Sequence, residues 1–433
     1  MKFCPECGVQ LVSQKFCHEC GANISKYLGG EPVNNNTQTD SFNFDSLQVD
    51  AQKEYYKEVG FEVENGVLVK YTGKSRTVVI PRGITEIYDE AFKGNEALTS
   101  VVVGEDVRII GKAAFMHCFH LKEVTLPDSV EEIYELAFLA CYNLEKINIP
   151  KKIEVIRERT FCGCHSIKKI NIPASLKIIE YSGFDEVRPA LIEIESIESW
   201  LTLDAYEGSS KPQGPLYLNG KLLTEILIPN SITKINNFAF YGISRLEKIV
   251  IPNNVTSIGK AAFASCSDLK SVILPNNLTV ISENLFWACK ALEEVVIPQS
   301  LQIIESQAFW LCEKLKNVIL PYGIKEIKSE AFRGCKSIEY LNIPGSLKDI
   351  NSKVFCNCSN LSRITFNEGL EIIVADAFNL CTKLEYLDLP RSVRGFNLSP
   401  SDRFKSVRMT SQLANWLRGW YSSCDQKIKI IEY

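Results

Sequence analysis

The dominant signal in the chain is a hydrophobic pattern that returns every 23 residues. A short apolar run closes on a proline at Pro81, Pro127, Pro150, Pro173, Pro229, Pro252, Pro275, Pro298, Pro321, Pro344 and Pro390, with Gly104 and Asn367 filling the two remaining slots. Every step is 23 residues except that from Pro173 to Pro229, which is 56. Six residues after the marker stands isoleucine in all twelve turns, from Ile87 to Ile373, and eleven after it stands phenylalanine, from Phe92 to Phe378. One turn cannot bury these side chains alone; stacked in register, each covers its neighbour's apolar residues and a continuous core forms. In the segment from Leu269 to Pro275, the side chains of Leu269, Val272 and Leu274 are expected to point inward from a strand whose pairing the proline ends. The pattern predicts an α/β repeat solenoid. A parallel sheet runs up one side, and short helical or irregular returns carry the Ala-Phe-x-x-Cys segments, such as Ala262-Phe263 to Cys266, on the other.

The repeat occupies residues 61–390 and is interrupted at about 185–223. Asn65-Gly66 and Asn219-Gly220 each sit between apolar runs, a hairpin signal, and each precedes a block of regular turns. The first reads as a cap and the second as an internal re-start. Ahead of the repeat, residues 27–60 read as a flexible linker with Gly29-Gly30 and an Asn/Thr/Gln run, followed by a short helix ending before Gly60. Beyond Pro390 the period fades, and residues 391–433 read as a C-terminal cap with an amphipathic helix at 411–422 that carries Trp416 and Trp420.

The columns Ile-Pro-x-x-Val-x-x-Ile-x-x-x-Ala-Phe-x-x-Cys, seen at Ile251-Pro252, Val255, Ile258, Ala262-Phe263 and Cys266, resemble the BspA-like leucine-rich repeat family. The resemblance covers about three quarters of the chain. It implies a leucine-rich repeat solenoid used as a display surface for partners, and family members are often cell-surface adhesins of bacteria and some protists. That makes an exported adhesin the competing expectation for this chain.

Residues 1–26 hold Cys4-Pro-Glu-Cys7-Gly and Cys17-His-Glu-Cys20-Gly. Two tight turns presenting two thiolates each complete a tetrahedral, closed site, so Cys4, Cys7, Cys17 and Cys20 are expected to hold one structural Zn²⁺ per chain. The segment resembles the short zinc ribbons fused to many bacterial proteins. Four thiolates leave no open position for catalysis. Nine further cysteines, Cys118, Cys141, Cys164, Cys266, Cys289, Cys312, Cys335, Cys358 and Cys381, share one column whose slot is Val187 or Ile243 in two other turns. They are expected to pack as small apolar side chains, whereas Cys162, Cys356 and Cys424 have no assignment.

Sixteen cysteines behind an N-terminus that opens on a cysteine motif, without an apolar signal stretch, point to a reducing compartment and a cytoplasmic location. No apolar run is long enough to span a bilayer. The formal net charge of −4 offers no broad basic field, and residues 1–26 carry only +1, so a regulator using the ribbon on nucleic acid is a second, weaker alternative. No Ser-His-Asp set, phosphate loop or paired-carboxylate signature is present. The expectation is a non-enzymatic scaffold that binds a protein partner and no small-molecule substrate. Two surfaces are candidates for that contact: the outward strand positions Val250, Ile273, Val296 and Ile319 in four consecutive turns, and Trp287 with Trp310 on neighbouring returns. Strand propensity alone also favours the four aliphatic residues.

Overall fold

The structure, a computed structural model, describes residues 56–206, 211–374, 376–396, 404–420 and 428–433. It divides into two compact units: the described residues up to Glu195 with Ala205–Pro212, and Ser196–Asp204 with Gln213–Tyr433. Each unit is a parallel-sheet β-solenoid of stacked turns of about 23 residues.

The first unit opens on an antiparallel hairpin of Phe61–Glu64 and Val67–Tyr71. Its turn is Asn65-Gly66, with φ of 48° and 79°, the left-handed pair that a two-residue hairpin requires. The same construction joins Leu216–Leu218 to Lys221–Leu222 through Asn219-Gly220 in the second unit.

The turns build two sets of parallel ladders where the sequence predicts one. The first runs through the strands before the marker, for example Thr77–Val79, Ser100–Val102 and Glu123–Thr125, and Lys248–Val250, Ser271–Ile273 and Glu294–Val296. The second is built from two-residue strands ending on the invariant isoleucine, such as Glu86–Ile87, Ile109–Ile110 and Glu132–Ile133. A strand of two residues is too short to show alternation in sequence, so its signature is the isoleucine column alone.

Among the described residues the returns contain no helix, which corrects the α part of the expected α/β class. Described helices are confined to residues 56–59, Ile197–Thr202 and Ser411–Trp420. The reason is backbone geometry. In every regular turn the residues nine and thirteen after the marker have positive φ, as in Ala113 (53°) with His117 (60°) and Gln307 (59°) with Leu311 (61°). Alternating right- and left-handed residues turns alternate amides along the stack. Ala113, Phe115 and His117 donate N–H to the carbonyls of Glu135, Ala137 and Leu139 in the next turn at 3.0, 2.8 and 2.9 Å. The return is therefore a third inter-turn ladder, and it satisfies groups that a helix would have satisfied internally.

The core lies between these three walls. The phenylalanine column stacks ring on ring, with centroids 5.2 Å apart and planes 1° from parallel for Phe115 and Phe138, and 5.0 Å and 5° for Phe309 and Phe332. The stack does not stop at Pro390. Ser406–Met409 pairs in parallel with Tyr386–Asp388, and Lys429–Glu432 pairs with Ser406–Met409. The helix Ser411–Trp420 lies between these strands in sequence and buries Leu413, Ala414 and Leu417. The cap thus adds two strands to the ladder that the fading period hides.

Candidate functional site

Val250, Ile273 and Val296 are direct cross-strand partners in consecutive parallel strands. Alternation along each strand buries Ile249, Val272 and Val295 and leaves these three facing outward, Ile273 at 45% and Val296 at 58% exposure. Ile319 continues the row and is the most exposed of the four at 74%. The row also extends one strand in the opposite direction. Leu227 pairs with Val250 and is 67% exposed. Sequence reasoning missed it because the insertion at about 185–223 ends just before it, although its place two residues before Pro229 is the same column. Five aliphatic side chains therefore form one solvent-facing line.

At its far end the sheet breaks. Glu294–Val296 is the last of four paired strands, and pairing resumes only at Tyr340–Ile343 with Arg363–Phe366. The turn between, residues 315–320, keeps the alternating burial, with Val318 inward and Ile319 outward, but forms no strand. Among the described residues its backbone meets a neighbouring turn once, through Lys316 N–H on the Glu293 carbonyl at 3.3 Å. The break opens a groove of about 850 Å³ lined by Glu294, Lys316, Ile319, Glu339, Tyr340 and Asn342.

Trp287 and Trp310 are brought together on the return side with ring centroids 6.1 Å apart. Both are half-buried, and the Arg333 guanidinium lies 5.5 Å from the Trp310 ring, so less of the pair is open than of the strip. Cys4, Cys7, Cys17 and Cys20 lie outside the described residues, as does Cys424. Among the described residues no group of three or more His, Cys, Asp or Glu could hold a metal ion. No described helix is long and apolar enough to cross a membrane.

A family model for the BspA-type leucine-rich repeat region, in six copies, matches residues 69–191, 217–301 and 281–407. The chain belongs to the BspA-type leucine-rich repeat family. Solved structures similar to it include a leucine-rich repeat protein from Bacteroides ovatus ATCC 8483, 26% identical over 77% of this chain and 92% of that one, with a TM-score of 0.49. A leucine-rich repeat protein from Eubacterium ventriosum ATCC 27560 is 24% identical over 68% and 89%, with a TM-score of 0.48. A leucine-rich cell surface protein from Faecalibacterium prausnitzii A2-165 is 24% identical over 70% and 83%, with a TM-score of 0.42. The comparison with curated proteins gave no match.

In this BspA-type core the nine-cysteine column does more than fill space. Each thiol lies against the carbonyl of the phenylalanine 26 residues earlier, as Cys118 on Phe92 at 3.1 Å, Cys289 on Phe263 at 3.0 Å and Cys381 on Phe355 at 3.1 Å. The S–H is a weak donor, so every such pair adds an inter-turn tie on the core side. Burial pushes the Cys118 and Cys266 thiols up to about 12, and Cys289 and Cys312 well above the ordinary value. A thiol held that far from ionising is neither a nucleophile nor a metal ligand at neutral pH. Cys162, by contrast, is half-buried, and Cys356 is buried beside the column.

Proposed function

We propose that this BspA-type leucine-rich repeat chain is a non-enzymatic protein-interaction scaffold whose contact surface is the aliphatic row Leu227, Val250, Ile273, Val296 and Ile319. The observation that carries the reading is the row itself: four apolar side chains on consecutive strands and a fifth on the next turn, all outward, where other turns place Asn148, Asn171 or Asp388. A contiguous exposed apolar stripe bordered by polar residues is the usual mark of a protein contact. Residues 1–26 are proposed to hold a structural zinc on Cys4, Cys7, Cys17 and Cys20, tethered to the repeats by residues 27–60. A cytoplasmic location completes the proposal and is supported by the nine buried cysteines of the core, none of them in a disulfide, which suit a reducing compartment.

The test compares the wild-type chain with Ile273→Lys/Val296→Lys, both purified from their own cells with whatever they bind. The double variant should melt like wild type, since both side chains face solvent, and should lose the partner, since charge would be forced into an apolar contact. A partner recovered equally by both proteins removes the row as the contact, and a collapsed melt would place these residues in the core. Cell fractionation separates the cytoplasmic reading from a surface adhesin.

A further inference from the structure

The charge around the row is matched almost everywhere. Glu225 pairs with Lys248 at 2.7 Å, Glu247 with Lys270 at 2.8 Å and Glu293 with Lys316 at 3.5 Å, each across neighbouring turns. Glu294 and Glu339 are the exceptions: both are exposed, both line the groove at the sheet break, and no described lysine or arginine pairs with either. Glu294 projects on the same side of its strand as Val296. The groove therefore presents two carboxylates without an ion-pair partner beside the last members of an aliphatic row, while the lysine that lines it, Lys316, is paired with Glu293.

Spacing adds a second constraint. Strands lie about 4.8 Å apart, so the four paired side chains from Leu227 to Val296 mark a line roughly 14 Å long, which Ile319 on the next turn extends to roughly 19 Å. An α-helix carrying apolar residues at i, i+3, i+4 and i+7 repeats its stripe about every 5.3 Å of axis, close to the strand spacing, whereas same-face residues of an extended strand recur at about 6.7 Å. A helix of roughly 13 residues covers the line.

We propose that the row and the groove together form a docking surface for a cationic amphipathic helix of a protein partner, with aliphatic residues along Leu227, Val250, Ile273, Val296 and Ile319 and lysine or arginine reaching Glu294 and Glu339. This rests on the reading of the row as the contact surface and names the chemistry of what it binds.

The experiment uses the full chain and three synthetic 14-residue peptides followed by fluorescence anisotropy: a helical one with a leucine stripe and lysines elsewhere, its glutamate-for-lysine counterpart, and one of the first composition with leucine and lysine strictly alternating. The striped lysine peptide should bind at least tenfold tighter than either of the others at low salt, and its advantage over the glutamate peptide should shrink as salt is raised. Glu294→Gln/Glu339→Gln should remove most of that advantage without moving the melt, which also separates the groove from the general attraction of a chain of net charge −4. Equal binding of the lysine and glutamate peptides, or a preference unchanged in the glutamine variant, overturns the cationic partner. Equal binding of the alternating peptide overturns the helix. Ile273→Asn/Val296→Asn, placing the residue that other turns carry in this column, should weaken the striped peptide at least tenfold. If it does not, the row itself fails as the contact surface, an outcome distinct from failure of the charge match.

Discussion

Cys289 offers the sharpest test of how the core is tied together. Its side chain is fully buried, its Sγ lies 3.0 Å from the Phe263 carbonyl, and that oxygen also accepts the N–H of Cys266 at 3.3 Å. Cys289→Ala removes one buried heavy atom, comparable to a methylene and worth about 0.8 kcal/mol. It also removes a weak hydrogen bond of about 0.5 kcal/mol, without the penalty of an orphaned acceptor, because the carbonyl keeps its backbone donor. The space left by Sγ adds a fraction more, for a total of about 1–2 kcal/mol. Cys289→Val refills the slot, as Val187 does in its own turn, and should lose only about half as much. Cys289→Asp forces a carboxylate into an apolar position and should cost several kcal/mol. Urea unfolding followed by circular dichroism under reducing conditions gives the order wild type, Val, Ala, Asp. An alanine variant as stable as wild type, or an aspartate variant that still unfolds at the wild-type midpoint, would refute the picture of a dry, packed thiol column.

Other consequences are as direct. The raised Cys118 and Cys266 thiols bind their protons more tightly folded than unfolded, so their stabilising effect is complete below pH 9 and is lost between pH 9 and about 12; at pH 10 each should subtract about 1 kcal/mol, and Cys118→Val/Cys266→Val should flatten that loss in alkaline melts. Amides of residues 317–319, which make no strand pairing, should exchange with deuterium much faster than those of Val272 and Ile273, read by mass spectrometry of matching peptides; equal protection would contradict the sheet break. Protein purified without added zinc should contain one zinc per chain, lost in Cys4→Ser/Cys7→Ser, and near-zero zinc that does not rise on reconstitution would refute the ribbon. Removing residues 1–43 should leave the repeat's cooperative melt in place, measured by calorimetry.

The parts of this molecule legible in the sequence are those where one residue type serves one purpose at a fixed spacing. The isoleucine and phenylalanine columns gave the period and the core, and Asn65-Gly66 and Asn219-Gly220 marked both hairpins, because left-handed turns restrict residue choice. Four of the five aliphatic residues in the row followed from strand alternation. What stayed hidden was set by backbone geometry with little demand on the side chain. The left-handed position nine residues after each marker is filled by Glu90, Leu136, Arg159, Phe238 and Lys353 among others, so no composition announces it, and the sequence leaves a short helix and an irregular return both open. The sheet break was equally silent, since residues 315–320 carry the same inward and outward pattern as their neighbours. The thiol column was legible as packing, but its ties to the phenylalanine carbonyls depend on the stacking of adjacent turns.

That division explains why the docking groove can sit where it does. A solenoid is a chain of nearest-neighbour interfaces, and an interface held by a single ladder would come apart wherever that ladder broke. Here the interfaces are held on up to three sides, and where one ladder lapses others continue. At the turn where the strand-face pairing fails, Ile303–Ile304 still pairs with Val280–Ile281 and with Glu326–Ile327. On the return side Phe309 and Leu311 still donate to the carbonyls of Ala331 and Arg333 at 2.7 and 2.8 Å. In the core Phe309 remains stacked between Phe286 and Phe332, and Cys312 and Cys335 keep their carbonyl partners. On the far side the isoleucine ladder also lapses after Glu326–Ile327, and there Glu330, Phe332 and Gly334 still donate to the carbonyls of Ser352, Val354 and Cys356 while Phe332 stacks on Phe355, so the groove opens without uncoupling the turns on either side. The strand face can therefore be reshaped for a partner while the return ladder and the ring stack continue to carry the fold.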